Sequence, residues 1–290
     1  MNISLVTDEV SADPETAFEL GIQWGIRNFE LRGFYEQRVP LLSSFQQQRL
    51  RELIDEFDVR IVAISPGLFK CPWPSGKRER FPVRFMDFSM YQRWQDARSL
   101  VQYHQQELLP ASLTFAQELR VSKVIIFSFH RGAQPPGPAP DEILLALDEA
   151  VQEAEKVGIR LCIEVEDQYW GDTGRWAADL LNRINRPALG INWDPGNAFV
   201  AGEVPFPVGY QAVRPYIQHV HYKDVQRLSP GHYQYVVHGQ IDWSGQIQAL
   251  QKDEYQGYIS VETHRSPKVR SAQESIQRLK AFIENVDQEE

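Results

Sequence analysis

The chain has almost no cysteine: Cys71 and Cys162 stand far apart in 290 residues. That excludes a disulfide framework and a cysteine-built zinc site. Cys162 lies inside an apolar strand candidate and reads as a small core residue. There is no run of Lys and Arg, and the formal net charge is −9. This argues against a general nucleic-acid or anionic-membrane surface. No stretch approaches the roughly 18 consecutive apolar residues of a membrane-spanning helix. The start, Met1-Asn2-Ile3-Ser4-Leu5-Val6-Thr7-Asp8, lacks the basic and then apolar regions of a signal peptide. The expectation is therefore a cytoplasmic protein without a membrane partner. A glycine-rich phosphate turn is also missing after the first strand candidate, where Asp8-Glu9-Val10-Ser11 stands instead. That counts against the runner-up fold, an open doubly wound sheet.

Hydrophobic residues make up 42% of the chain, enough for a sizeable core. Short apolar runs alternate with helical patterns. Strand candidates fall at 3–7, 25–32, 59–64, 124–127, 159–166, 189–194, 217–221 and 258–262. Between them, Asp13-Pro14-Glu15 opens a helix, and Leu50, Leu53, Ile54 and Phe57 repeat at helical spacing. A helical region over 91–118 is interrupted near Pro110. Asp141 is expected to cap a helix that Gly158 closes. Strands alternating with helices imply parallel pairing. The reading is one α/β domain over 1–290, a single (β/α)8 barrel with its site at the C-terminal strand ends. Two long loops, about 65–90 and 224–241, are expected over that face.

Four consecutive strand candidates end in ionisable residues: Glu164, Asp194, His221 and Glu262. They are 30, 27 and 41 positions apart, close to the repeat of one strand–helix unit. Side chains alternate along a strand. Cys162, Glu164 and Glu166 therefore share a direction, as do Asn192 with Asp194, His219 with His221, and Ser260 with Glu262. Three carboxylates pointing into one barrel mouth repel each other unless a cation neutralises them. Three carboxylates and an imidazole suit one divalent metal, Mn2+ first, then Mg2+, Co2+ or Zn2+.

The strings Thr7-Asp8-Glu9-Val10, Glu30-Leu31-Arg32, Asp194-Pro195-Gly196-Asn197, His219-Val220-His221-Tyr222-Lys223-Asp224, Gly239-Gln240-Ile241-Asp242-Trp243 and Ser260-Val261-Glu262 resemble the xylose-isomerase-like TIM-barrel superfamily. The resemblance covers essentially the whole chain. Its members include sugar phosphate isomerases and epimerases, ketose 3-epimerases, inosose dehydratases and type IV apurinic endonucleases. The resemblance implies that Glu164, Asp194, His221 and Glu262 bind the metal. It further implies that Glu164 and Glu262 exchange protons with substrate carbon while the cation stabilises an enediolate. The expected substrate is a sugar, sugar phosphate or related polyol or keto acid. A dehydratase-like lyase, an endonuclease-like metal hydrolase and a non-catalytic sugar-binding barrel are the alternatives. Many epimerases and the endonucleases carry a His where Asn197 stands, and Ser65-Pro66-Gly67 replaces the His-containing element of the endonucleases. Nucleic acid is accordingly a poor partner, although His130 matches one of the endonuclease metal positions.

The substrate-binding candidates are His130, Glu166, Asn197, Lys223, His238, Lys70 and Trp170. Each has a bland alternative. Glu166 and Lys223 could be solvated loop residues. His219 either orients His221 or is a core histidine. Glu30 and Arg32 are expected to form an internal ion pair. Lys70, Arg78 and Arg80 suit an anion-binding lid or a solvated basic loop. Trp193 is the better core candidate among the tryptophans. A homo-oligomer stays open, because nothing in the sequence fixes the oligomeric state.

Overall fold

Eight parallel strands close on themselves: β1 (Asn2–Val6), β2 (Asn28–Leu31), β3 (Arg60–Leu68), β4 (Lys123–Ile126), β5 (Arg160–Glu164), β6 (Leu189–Trp193), β7 (Ile217–Tyr222) and β8 (Tyr258–Val261). The structure is a computed structural model and describes residues 1–74 and 97–287. Neighbours in space are neighbours in sequence, and β1 pairs with both β2 and β8 to shut the ring. Helices lie between the strands, which gives the (β/α)8 barrel expected from the alternation. No helix among the described residues is long and apolar enough to cross a membrane.

Local chemistry sets the helix boundaries. The Asp13 side chain accepts from Thr16 N at 2.8 Å and starts the helix Pro14–Gln23. Ser43 and Gln46 form a reciprocal capping box on Ser44–Glu56. Each such cap stabilises a helix by about 1 kcal/mol. Asp141 does not cap as expected. Pro140 occupies that position, and Asp141 is already helical, its carboxylate 2.8 Å from Arg183 Nη2. The break near Pro110 is a π-turn over His104–Leu108, after which Leu109–Glu118 resumes with Pro110 in its first turn.

Both long-loop expectations change. β3 continues through Ser65-Pro66-Gly67 to Leu68, so backbone assigned to a loop is strand. Arg78 and Arg80 of the expected lid lie outside the described residues. The stretch 224–241 is largely a two-stranded antiparallel hairpin, Asp224–Ser229 with His232–Val236. Ser229-Pro230-Gly231 supplies its turn, between Val225 on one side and Tyr233 and Tyr235 on the other.

The main core lies between barrel and helices, where Phe18 packs edge-on against Phe29 and Phe34. The barrel interior differs in character. Ala63, Ile125 and Cys162 form a small apolar cluster of their own. Cys162 is the core residue expected, its thiol pushed up to about 12 by burial. Ser4, Glu30, Asn192, His219 and Ser260 are also fully buried. Buried polar groups require partners, and those partners lead to the site.

Candidate metal centre

β5, β7 and β8 carry Glu164, His221 and Glu262 at or just past their C-terminal ends, and Asp194 follows β6. One ligand atom from each of the four lies within 4.8 Å of the others, and all four residues are buried. His221 Nδ1 is 3.5 Å from Glu164 Oε1, 3.7 Å from Asp194 Oδ2 and 3.3 Å from Glu262 Oε2. Alternation along the strands thus delivers the convergence drawn from the sequence. Asp194 also starts the short helix Pro195–Val200, its Oδ1 accepting from Asn197 N at 2.9 Å. That bond aims Oδ2 at the cluster.

Two observations show that this donor set suits a divalent cation. His221 Nδ1 is buried without a hydrogen bond among the described residues, a costly condition unless something binds it, and Asp194 Oδ2 is buried beside the Lys223 ammonium. The set itself, hard carboxylate oxygens with one imidazole, suits Mg2+, Mn2+, Co2+ or Zn2+. Burial opposes a charge on His221, but the Glu30, Glu164 and Glu262 carboxylates outweigh it and raise its pKa well above the ordinary value. The cluster favours positive charge at this point.

Glu30 was expected to pair with Arg32. It turns instead into the barrel, where Oε1 and Oε2 lie 3.2 and 3.1 Å from His221 Nε2. Its Oε2 also lies 2.9 Å from His219 Nε2. His219 reaches Ser260 Oγ at 2.8 Å, and Ser260 meets Ser4 Oγ at 2.6 Å. Burial works against the Glu30 charge, yet the two imidazoles hold its pKa far below the usual carboxylate range. A charged Glu30 accepts from His221 Nε2–H, which leaves the Nδ1 lone pair for a metal. His219 joins this chain without touching His221 through a hydrogen bond.

Arg32 lies at the mouth. Its Nε is 2.9 Å from Asp8 Oδ1, its Nη2 is 2.5 Å from Glu9 Oε1, and its Nη1 binds Glu262 Oε1. Glu9 Oε2 accepts from Thr263 N at 3.0 Å, Thr263 Oγ1 at 2.8 Å and His264 N at 2.8 Å. This lattice ties the segments after β1, β2 and β8 together. Lys223 Nζ lies 2.8 Å from both Glu262 Oε2 and Asp194 Oδ2. Burial penalises the Glu262 charge, but His264, Lys223 and His221 reverse that and drive its pKa well below the ordinary value. Glu262 is thus held as a carboxylate by its cationic neighbours. Glu164 is held more loosely, by Asn197 Nδ2 at 3.4 Å.

The remaining candidates divide. Glu166 is half-buried, with its Oε2 3.4 Å from Lys70 Nζ and 3.3 Å from Asn197 Nδ2, and desolvation raises its pKa. Lys70 also lies over the Phe127 ring at 4.3 Å. Asn197 directs its amide at Glu164, Glu166 and the Val165 carbonyl, so it braces the wall. His130 binds Gln168 Oε1 at 3.3 Å and Gly132 N at 3.0 Å and joins no ligand cluster among the described residues. Trp170 is packed in the core with its indole N–H buried. His238 is exposed and joins no ligand cluster among the described residues. Trp193 is core, its Nε1 bonded to Gln246 at 2.6 Å. Sequence reading missed Tyr235, whose ring is 5.6 Å from Lys223 Nζ. The alternation of Tyr233 and Tyr235 after a Pro-Gly turn was the available signal.

The comparisons with known proteins agree with this layout. Residues 18–282 match the family model described as xylose isomerase-like TIM barrel. Among solved structures, the probable 3-DHS dehydratase AsbF of Bacillus anthracis superposes with a TM-score of 0.71 at 17% identity, covering 97% of this chain and 99% of that one. The D-allulose 3-epimerase of a Methylomonas species, in complex with D-allulose, gives 0.69 at 16% identity, covering 97% of each chain. A xylose isomerase-like TIM barrel protein of Mycobacterium smegmatis, in complex with magnesium, gives 0.67 at 14% identity, covering 94% of this chain and 88% of that one. No curated protein sequence matches. At these identities the structural likeness establishes the fold, and the family model, running nearly end to end, establishes that the chain belongs to the xylose isomerase-like TIM barrel family.

Proposed function

We propose that this protein is a divalent-metal-dependent isomerase or epimerase acting on a sugar, a sugar phosphate or a related polyol. The observation that carries the reading is the buried convergence of Glu164, Asp194, His221 and Glu262 within 4.8 Å. A divalent ion held by these four would polarise a carbonyl and its neighbouring hydroxyl and so acidify the carbon-bound proton beside them. The protein residues then have separate tasks. Glu164, held by the long Asn197 contact and without an Arg or Lys ion pair among the described residues, is the carboxylate placed to accept and return that proton. Glu262, gripped by Arg32 and Lys223, serves as a fixed ligand. Lys223 balances the acids and presents N–H groups in the same mouth. Glu166 and Lys70 form the adjoining polar wall. D-allulose and magnesium, named for two structures of the same fold, fit this chemistry.

The inequality of the two glutamates favours a second reading. Epimerisation through two faces of one carbon suits two competent carboxylates, whereas elimination of water needs one base and one proton donor. Glu164 as base and Lys223 as donor to a leaving hydroxyl would provide that pair, and the first structure compared above is a dehydratase by name. The test is a panel of ketoses, inososes and keto acids incubated in D2O with metal-loaded protein. Deuterium entering unreacted or isomerised ketose supports the isomerase. A conjugated, dehydrated product supports the lyase. Glu164→Gln should cut turnover by at least about a hundredfold. Unchanged turnover in that variant would remove Glu164 from the chemistry.

A further inference from the structure

The opposite mouth of the barrel holds a second polar cluster, of the other sign. Arg60, Lys123 and Arg160 stand at the starts of β3, β4 and β5. Lys123 and Arg160 are direct register partners. Arg160, Cys162 and Glu164 alternate to the same side of β5, so the Arg160 side chain enters the floor two levels beneath Glu164. The Ala63, Ile125 and Cys162 cluster lies between them as an apolar plug. A groove of about 420 Å3 opens at this floor, lined by Lys123, Arg160, Gln218, Glu254, Tyr255 and Tyr258 among others. Arg60 stands at its edge, 6.0 Å from the centre of the Tyr258 ring.

These cations are not matched by acids. Lys123 Nζ donates to the Gln218 carbonyl at 2.7 Å, and Arg160 Nη1 donates to Gln218 Oε1 at 2.7 Å. Arg160 Nε is buried with no acceptor. No carboxylate among the described residues forms an ion pair with any of the three. Glu254 shares the groove but is exposed and makes no such pair. Burial lowers the Lys123 pKa, and the Arg160 and Arg60 charges lower it further. Three like charges gathered with one orphaned guanidinium N–H are costly as a purely structural device. The bland alternative is a floor brace, since residues at this end of such barrels ordinarily serve stability. A brace explains the bonds to Gln218. It does not explain why three cations without a carboxylate partner among the described residues surround one groove, where guanidinium groups have the fork geometry that binds oxyanions.

We propose that the N-terminal mouth of the barrel is a binding site for a doubly charged oxyanion, phosphate itself or a phosphomonoester, held by Arg160, Lys123 and Arg60 and separate from the metal centre. The probes are inorganic phosphate and glycerol 3-phosphate, titrated calorimetrically into metal-free protein at constant ionic strength. Holding ionic strength fixed removes general screening. Saturable binding of one equivalent is expected. Arg160→Gln should weaken it by about tenfold, the loss of one charge-assisted contact. Arg60→Gln, an exposed position that cannot unfold the floor, should weaken it by a smaller factor, and Glu164→Gln should leave it unchanged. Tighter binding of glycerol 3-phosphate assigns the site to a phosphorylated metabolite, and equal binding assigns it to free phosphate. No saturable binding of either, or equal affinity in wild type, Arg160→Gln and Arg60→Gln, overturns the proposal.

Discussion

A single carboxylate, Glu30, governs how His221 can act. Both of its oxygens face Nε2 of that imidazole at 3.1–3.2 Å, and burial removes water as a substitute acceptor. Such outer partners typically change metal affinity by about 10–100-fold. Glu30→Gln keeps the shape but turns one acceptor into a donor facing an N–H. The expected result is metal affinity lower by about 10–100-fold, with Glu30→Asp recovering part of it. Calorimetric titration of Mn2+ or Zn2+ into metal-free protein measures this, and circular dichroism checks that the barrel is intact. Equal affinity in all three forms would make Glu30 a mere filler. The sequence revealed the convergence of Glu164, Asp194, His221 and Glu262 because strand parity is local information. It hid the role of Glu30 because its partners, His219 and His221, are 189 and 191 residues away. Arg32, two residues along, was the obvious but wrong partner. Each of the two faces a different part of the ring, and only closure of the barrel decides which groups they meet.

Among the elements, the hairpin Asp224–Val236 carries the greatest departure from expectation. Its base is organised by Asp224, which accepts from Val225 N at 2.8 Å, Gly239 N at 2.8 Å and Ile241 N at 3.1 Å and pairs with Arg278. Gly239 is required by space. A Cβ there would lie 2.3 Å from Asp224 Oδ1 and 2.5 Å from the Val225 carbonyl. Neither obstacle is the end of a long flexible side chain. Gly239→Ala should therefore destabilise the protein by about 1–3 kcal/mol, the usual cost of overpacking. A urea unfolding midpoint measures the loss, and faster proteolysis near Ser229-Pro230-Gly231 would locate it. A midpoint unchanged from wild type would show that the hairpin base is free to shift. Helix ends show how element boundaries became legible or not. Gly25 and Gly158 take positive φ after their helices, as glycine does readily. Asp58, Arg120 and Glu254 do the same work after theirs, and nothing in those residue types announces it.

Across the whole molecule, charge is sorted along the barrel axis. Carboxylates gather at the C-terminal mouth and unmatched cations at the N-terminal floor, with an apolar plug between. The net charge of −9 hides this polarity. At the acidic mouth, Arg32 and Lys223 offset part of the repulsion among Glu9, Glu164, Asp194 and Glu262. The rest falls on His221 and on any bound cation. A ligand that binds only the folded chain stabilises it by about 2.7 kcal/mol at a hundred times its dissociation constant. For a chain of this size, one kcal/mol moves the melting temperature by about 2–4 °C. Saturating divalent metal should thus raise it by roughly 5–10 °C over protein held in chelator. Scanning calorimetry with Mn2+, Mg2+, Co2+ and Zn2+ in turn would rank the ions by the size of this rise. Asp194→Asn should abolish most of the rise while leaving the chelated protein as stable as wild type or more so, because it removes one of the crowded charges. If the chelated and metal-loaded proteins melt together, the acids at this mouth are balanced by Lys223, Arg32 and a protonated His221 alone. The metal-dependent chemistry then has no foundation, whereas the oxyanion site at the far end would stand unaffected.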